Sequence, residues 1–481
     1  MSNYKTVFFT LGVLLIVLGF SMLIPISVQL IYNEFNPTFI ISSIITITFG
    51  VLFFLANTDH NKSLSTQQAF LLTALSWIGV AIFGSIPFIF SNLNLSITDA
   101  FFESMSGITT TGSTIINNLS DTPKAILSWR AILQWLGGIG IIVMAITLMP
   151  IMNIGGLQLL KISSGDSSEK ILPKSKQISL RLVLIYFFLT LLCAFFYKVC
   201  GMNFFDSLTH SMTTIATGGF SNYNQSIGFF ESAKIEYVSI VFIILGSIPF
   251  IAYIKFLSGN KKIIFKDEQI KLFFKLIFYS ILILFIYLAI ANKSIFEIQL
   301  RSIIFNVVSI LTGTGYVTKE FDQWGNFPLI FFLLLMFIGG CAGSTTCGIK
   351  VFRVHMLYFI LKNQLLKIIY PRAIINLKYN NDVVQDKLIA SIISFIYLYI
   401  IIFFIISALL TLTGLNFITA ISGAASSISN VGPGLGNEIG PNSNYANLPA
   451  ASKWILSAGM ILGRLEIFAI LVIFLPSFWR N

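Results

Sequence analysis

Charge is what this sequence has least of. Only 10% of its 481 residues are Asp, Glu, Lys or Arg, against roughly 25% in soluble domains. Mean hydropathy is +0.87. Such a chain cannot cover itself with polar surface, which excludes an ordinary water-soluble fold. Acids are scarcer than bases, 19 against 30. The three histidines (His60, His210, His355) are isolated, and the four cysteines (Cys193, Cys200, Cys341, Cys347) follow no metal-ligand spacing. Cys193 and Cys200 share one helix face, which suits packing better than chemistry. No Ser/His/Asp set or carboxylate pair converges. The expectation is a non-enzyme with no covalent cofactor.

What is present is long apolar runs, at 7–31, 39–56, 69–90, 131–151, 182–200, 235–254, 272–291, 328–338, 388–412 and 454–475. Most approach the ~20 residues that cross a bilayer core of ~30 Å. About ten membrane spans are expected, with the short run at 328–338 interrupted. The net charge of +11 does not point to nucleic acid, because the bases cluster between spans at 161–181, 255–275 and 350–387. The alternate loops carry acids such as Asp121, Glu231, Glu320 and Glu438. That asymmetry places the basic loops in the cytoplasm. An even number of spans then leaves both ends, near Lys5 and Arg480, inside. The first run lacks a small-residue cleavage site and reads as a retained helix.

A period of ~100 residues recurs four times as helix, short semi-polar segment, helix. The repeats are expected at 61–160, 161–260, 261–378 and 379–481, with 1–60 as an appended transmembrane hairpin. Each short segment, such as 100–109 or 206–215, is too short to span and reads as re-entrant. Two spans plus one re-entrant segment return the chain to the same side, so the repeats are parallel about an axis along the membrane normal. The fold class expected is an all-α polytopic membrane protein with pseudo-fourfold symmetry.

Each short segment ends in a glycine signature: Thr110-Thr111-Gly112, Ala216-Thr217-Gly218, Gly313-Thr314-Gly315 and Asn430-Val431-Gly432. Non-helical backbone inside a membrane must be buried or line water, and four such segments can gather round one axis. Backbone carbonyls can replace the water shell of a cation. Pointing them one way demands left-handed conformations that glycine adopts cheaply, hence Gly112, Gly218, Gly315 and Gly432. The residue before each (Thr111, Thr217, Thr314, Val431) is β-branched and braces its strand. Helix C-termini aimed at the axis favour cations. The signatures carry no acid, so a carbonyl filter for large monovalent cations is expected, bound ions sitting on carbonyl oxygens only. The competing explanation is close helix packing through small residues.

Two further features concern the path below the signatures. The outgoing span of the third repeat is interrupted at Gly339-Gly340-Cys341-Ala342-Gly343-Ser344-Thr345-Thr346-Cys347-Gly348, which can cross a cavity as a gating loop. Arg464 lies inside the last run, where an arginine costs ~2.5–3.5 kcal/mol and faces a cavity or a partner. Glu466, two residues on, is on a different helix face, so the two are not expected to pair.

The strings FFESMSGITTTGST, TIATGGFS, IGGCAGSTTCGIKVFR, NVGPGLG and GRLEIF closely resemble the TrkH-type subunits of the Trk/Ktr/HKT superfamily of potassium transporters, across essentially the whole chain. The resemblance implies potassium uptake across a bacterial inner membrane, as a homodimer with one pore per protomer. It implies filter glycines at Gly112, Gly218, Gly315 and Gly432, an intramembrane gate at 339–348, and a pore-facing Arg464. It also implies a cytoplasmic ring of nucleotide-binding regulatory domains on a separate chain, for which 255–275 and 350–378 are candidate docking segments. Gly313-Thr314 and Cys347 depart from the family pattern. The rival is a proton- or sodium-coupled potassium symporter using Glu103, Asp206 and Glu466 as coupling carboxylates.

Overall fold

The computed structural model describes residues 4–59, 64–147, 171–259, 263–291, 296–372, 378–380 and 382–480. The basic stretch at 161–170, the end of the run at 131–151 and parts of both candidate docking segments lie outside these. Among the described residues seven helices are long and apolar enough to cross a membrane, and two further pairs of helices do so with a sharp bend. The run at 328–338 forms a 12-residue helix, Asn326–Phe337. The expected tenth span is thus a half-helix that hands over to the 339–348 loop.

The leading helices Lys5–Ser21 and Leu23–Tyr32 pack on Thr38–Ala56. Gly12 and Gly50 let the backbones touch: a Cβ on Gly12 would lie 2.7 Å from the Gly50 carbonyl oxygen. With no hydrophobic drive between helices in lipid, such close van der Waals packing holds the pair together. This hairpin leans on Thr66–Ile89 and Lys124–Thr147, outside the repeated core.

Each later unit inserts a re-entrant helix between an incoming and an outgoing helix. The short helices are Ile97–Ile108, Phe204–Ile215, Phe296–Leu311 and Phe417–Ser429. Ser96, Asn203 and Asn416 cap three of them, each side-chain oxygen accepting the N–H three residues on. This answers one of the four orphan donors of a helix start. The outgoing helix of the second unit breaks between Ala233–Ser247 and Phe250–Leu257, with a bend of 88°. Ile248, extended, precedes Pro249, as the proline ring requires. The last outgoing helix, Ala450–Arg464, turns by 106° into Phe468–Phe474, pivoting on Glu466 at φ +53°. The run at 454–475 is therefore bent directly after Arg464 rather than straight.

Candidate functional site

All four short helices end in one and the same turn. The residues at its bend, Thr110, Thr217, Gly313 and Asn430, are left-handed, with φ of 53°, 50°, 72° and 53°. The next N–H, of Thr111, Gly218, Thr314 and Val431, reaches back 2.9–3.0 Å to the carbonyls of Ser106, Thr213, Ser309 and Ser426. This is the six-to-one closure of a Schellman helix end. Left-handed geometry costs a non-glycine residue ~1–2 kcal/mol, and Thr110 and Thr217 are β-branched, the least suited of types. Such strain persists where surrounding structure enforces it, often at functional sites.

One level on stands a second left-handed residue: Gly112, Gly219, Gly315 and Gly432, with φ of 89°, 77°, 78° and 105°. The second loop thus differs by one residue from the sequence register. Its left-handed glycine is Gly219, not Gly218; Thr217 occupies the bend, and Ala216 is the last residue before it. TIATGGFS offers two consecutive glycines, and the turn closure decides between them.

The four turns close into a ring. A Cβ on Gly112 would fall 2.3 Å from the Gly218 oxygen, on Gly219 1.9 Å from that of Thr314, on Gly315 1.9 Å from that of Val431, and on Gly432 2.7 Å from that of Thr111. The contacts run from each turn to the next, and the fourth returns to the first. The ring is uneven at Gly432. Its carbonyl accepts hydrogen bonds from Ser113 Oγ (2.8 Å), Ser426 Oγ (2.9 Å) and the Tyr445 hydroxyl (2.8 Å). An oxygen with two lone pairs and three donors has little left for a cation.

Beyond the ring each chain is tied to its own short helix by a side chain that accepts a backbone N–H. Glu103 Oε2 takes the N–H of Ile115 (2.9 Å), His210 Nε2 that of Asn222 (3.5 Å) and Asn306 Oδ1 that of Thr318 (3.3 Å). Each acceptor is twelve residues before its donor. In the fourth repeat Gly423 holds that position, and the neighbouring Ser422 Oγ takes the N–H of Leu435 at 3.0 Å. Sequence reading missed this polar column, although aligning the hydroxyls Ser106, Thr213, Ser309 and Ser426 reveals it and corrects the second register. Glu103 also pairs with Arg130 at 2.7 Å, both fully buried, and Arg130 donates to the Ser221 carbonyl of the next unit at 2.8 Å. Asp206 accepts from the side chains of Asn203, Asn222 and Tyr223.

The 339–348 segment forms an irregular loop whose ends are held together by a bridge between Ile338 and Ile349. Its backbone fills the breaks in neighbouring helices: Cys341 N–H donates to the Ser247 carbonyl (3.0 Å), and Phe250 N–H to the Gly343 carbonyl (2.9 Å). Thr345 sits at the top, its hydroxyl 3.1 Å from the Ile215 carbonyl, 3.0 Å from that of Gly246 and 3.1 Å from the Thr217 hydroxyl. The loop therefore abuts the bend level of the second turn.

Arg464 is 3% exposed and donates to the carbonyls of Thr345 (3.0 Å) and Gly137 (2.8 Å) and to Cys347 Sγ (2.6 Å). It clamps the loop to the first outgoing helix, Lys124–Thr147. Among the described residues no carboxylate is within ion-pair distance of it. Glu466 binds Arg353 instead, at 2.7 Å. Ala342 N–H reaches Gln269 Oε1 (3.0 Å) on Glu268–Ile290. No cluster of three or more His, Cys, Asp or Glu fit for a metal occurs among the described residues.

Residues 36–480 match the TrkH family, described as cation transport proteins. The chain is 39% identical over 98% of its length to the Trk system potassium uptake protein TrkI of Halomonas elongata, covering 96% of that protein. It is 34% identical to TrkH of Escherichia coli K12, with both chains covered in full. It also resembles the crystal structure of the potassium transporter TrkH from Vibrio parahaemolyticus, with a TM-score of 0.91 and 33% identity over 99% of this chain and all of that one. This integral membrane chain belongs to the TrkH family of cation transport proteins.

Proposed function

We propose that this chain carries potassium into a bacterial cell through a gated, channel-like pore whose selective element is the ring of four turns. The observation that carries the reading is the ring closure, in which the carbonyls of Thr111, Gly218, Thr314 and Val431 each meet the left-handed glycine of the preceding turn. Four short helices direct their carbonyl ends at this ring, a partly negative environment for a cation. The ion meets oxygens already held in place by the turn closures and by the side-chain ties. A dehydrated potassium ion therefore loses its water to a preformed cage, and the smaller sodium ion finds that cage too wide. The engaged Gly432 carbonyl leaves one level short of a ligand, so discrimination is weaker than four equal strands would give. The relatives' names as potassium uptake proteins support the choice of ion.

The 339–348 loop, clamped by Arg464, is the gate in this reading. Coupling to protons or sodium finds little support: Glu103 and Glu466 are paired with arginines, and Asp206 is saturated by neighbouring donors. The inner membrane is the proposed location, with both ends cytoplasmic. Tyr4 and Trp479 have ring centroids 6.5 Å apart, which supports a common side for the two ends. Assembly as a homodimer and regulation by a cytoplasmic nucleotide-binding ring on a separate chain follow from the family resemblance.

Rubidium and sodium uptake into liposomes holding the purified chain tests the reading, with Gly112→Ser as comparison. The expected result is rubidium uptake well above sodium uptake, with the margin reduced in the variant. Equal uptake of both ions, unchanged by the substitution, would make the turns packing devices.

A further inference from the structure

The second turn breaks the pattern of the other three. At the level of the ring carbonyls stand Thr111, Thr314 and Val431, all β-branched, but Gly218 in the second turn. The backbone does not ask for glycine there, since Gly218 is not among the positive-φ glycines. Space does. A Cβ on Gly218 would lie 2.5 Å from both Cδ and Oε1 of Gln134. Gln134 is fully buried and stands on Lys124–Thr147, the outgoing helix of the preceding unit. Its Nε2 donates to the Gly218 carbonyl at 2.5 Å, and its Oε1 accepts the N–H of Phe220 at 3.0 Å. Two oppositely directed bonds fix which end of the amide is which.

We propose that Gln134 is the missing side chain of the second strand: a positioning residue that holds the Gly218 carbonyl in the ring and tunes its strength as a potassium ligand. This rests on the reading of the ring as a cation filter. Gln134 reaches past Gly218 to Phe220 and bridges both ends of Gly219, the left-handed glycine. It thereby fixes the strand from outside where a β-branched side chain would stiffen it from within. The amide also occupies one of the two lone pairs of the Gly218 oxygen, leaving the other for an ion. Strand 2 is therefore set by the first unit, and the contact between Gly218 and Gly112 is made by two elements that both belong to, or are braced from, that unit.

The test is the rubidium-to-sodium permeability ratio, read from reversal potentials of the full-length protein in bilayers, for wild type, Gln134→Ala, Gln134→Glu and the double variant Gln134→Ala/Gly218→Thr. Gln134→Glu keeps the shape and the acceptor for Phe220 but replaces the donor to Gly218 with an oxygen. The expected result is a drop of about fivefold to tenfold in the ratio for both single variants, as loss of one buried hydrogen bond implies. The double variant, which gives strand 2 the architecture of the other three, recovers most of the loss. A role in packing alone would lower protein yield and all fluxes together, and would leave Gln134→Glu selective. Wild-type ratios in folded Gln134→Ala and Gln134→Glu overturn the proposal while the filter stands. A wild-type protein that does not discriminate removes the filter reading and this inference with it.

Discussion

Replacing Arg464 by methionine removes the clamp on the 339–348 loop while keeping an unbranched, uncharged stem in its place. The guanidinium makes two hydrogen bonds to backbone carbonyls, on Thr345 and Gly137, and one contact to Cys347. Hydrogen bonds from a charged donor contribute ~1.5–3 kcal/mol each. The Thr345 bond holds the loop itself, whereas the Gly137 bond only anchors the arginine, so the loop loses ~1.5–3 kcal/mol of restraint. Opening is favoured by about 10- to 100-fold on that figure, capped by whatever fraction of the loop is already displaced. In the proposed gating reading a fixed positive charge beside the ion path also disappears, which acts in the same direction. Rubidium uptake into liposomes, without any partner protein, is the assay. It is expected to rise by one to two orders of magnitude, with the rubidium-over-sodium preference retained because the ring is untouched. Unchanged or slower uptake by a variant of normal thermal stability would refute the clamp.

Three other outcomes follow from the same geometry. Glu103→Gln leaves the buried Arg130 without its counter-charge, a loss of ~3–5 kcal/mol; a marked fall in melting temperature in detergent is expected, part of it recovered by adding Arg130→Met. Gly219→Ala forces a side chain onto φ +77° against the Thr314 carbonyl, so ion discrimination should be lost, and a variant as selective as wild type would show the register to be wrong. Thr345→Val deletes the one hydroxyl donor shared between the Ile215 and Gly246 carbonyls, a loss of ~1 kcal/mol; uptake should rise several-fold, less than in Arg464→Met, and a decrease would contradict the gating role of the loop.

The apolar runs and the four short segments are legible in the sequence because hydropathy and glycine punctuation are local signals. The register of the second turn was not local. Gly218 and Gly219 are equivalent within TIATGGFS, and the choice between them rests on the Thr213 carbonyl five residues before Gly218, a position that only alignment of the helix-end hydroxyls brings into register. The withdrawal of the Gly432 carbonyl escaped for a similar reason, since Tyr445 and Ser113 reach it from separate loops. Arg464 stood out as a charge in an apolar run, but its ligands are backbone carbonyls and a thiol, which no residue-type pattern encodes. Glu103 stands out in the sequence as a carboxylate in a re-entrant segment, but its ion pair with Arg130, 27 residues on, is not a local signal. The polar column Glu103, His210 and Asn306 was present in the sequence and becomes visible only when the repeats are aligned on the hydroxyls at the helix ends.

Crystals grown in rubidium reveal by anomalous scattering whether potassium sits on the carbonyls of the ring, as proposed. A peak is expected on the ring axis, bounded by the oxygens of Thr111, Gly218, Thr314 and Val431, that disappears when rubidium is replaced by lithium. An ordered ring with no peak under saturating rubidium, or a peak confined to another part of the protein, would contradict the proposal.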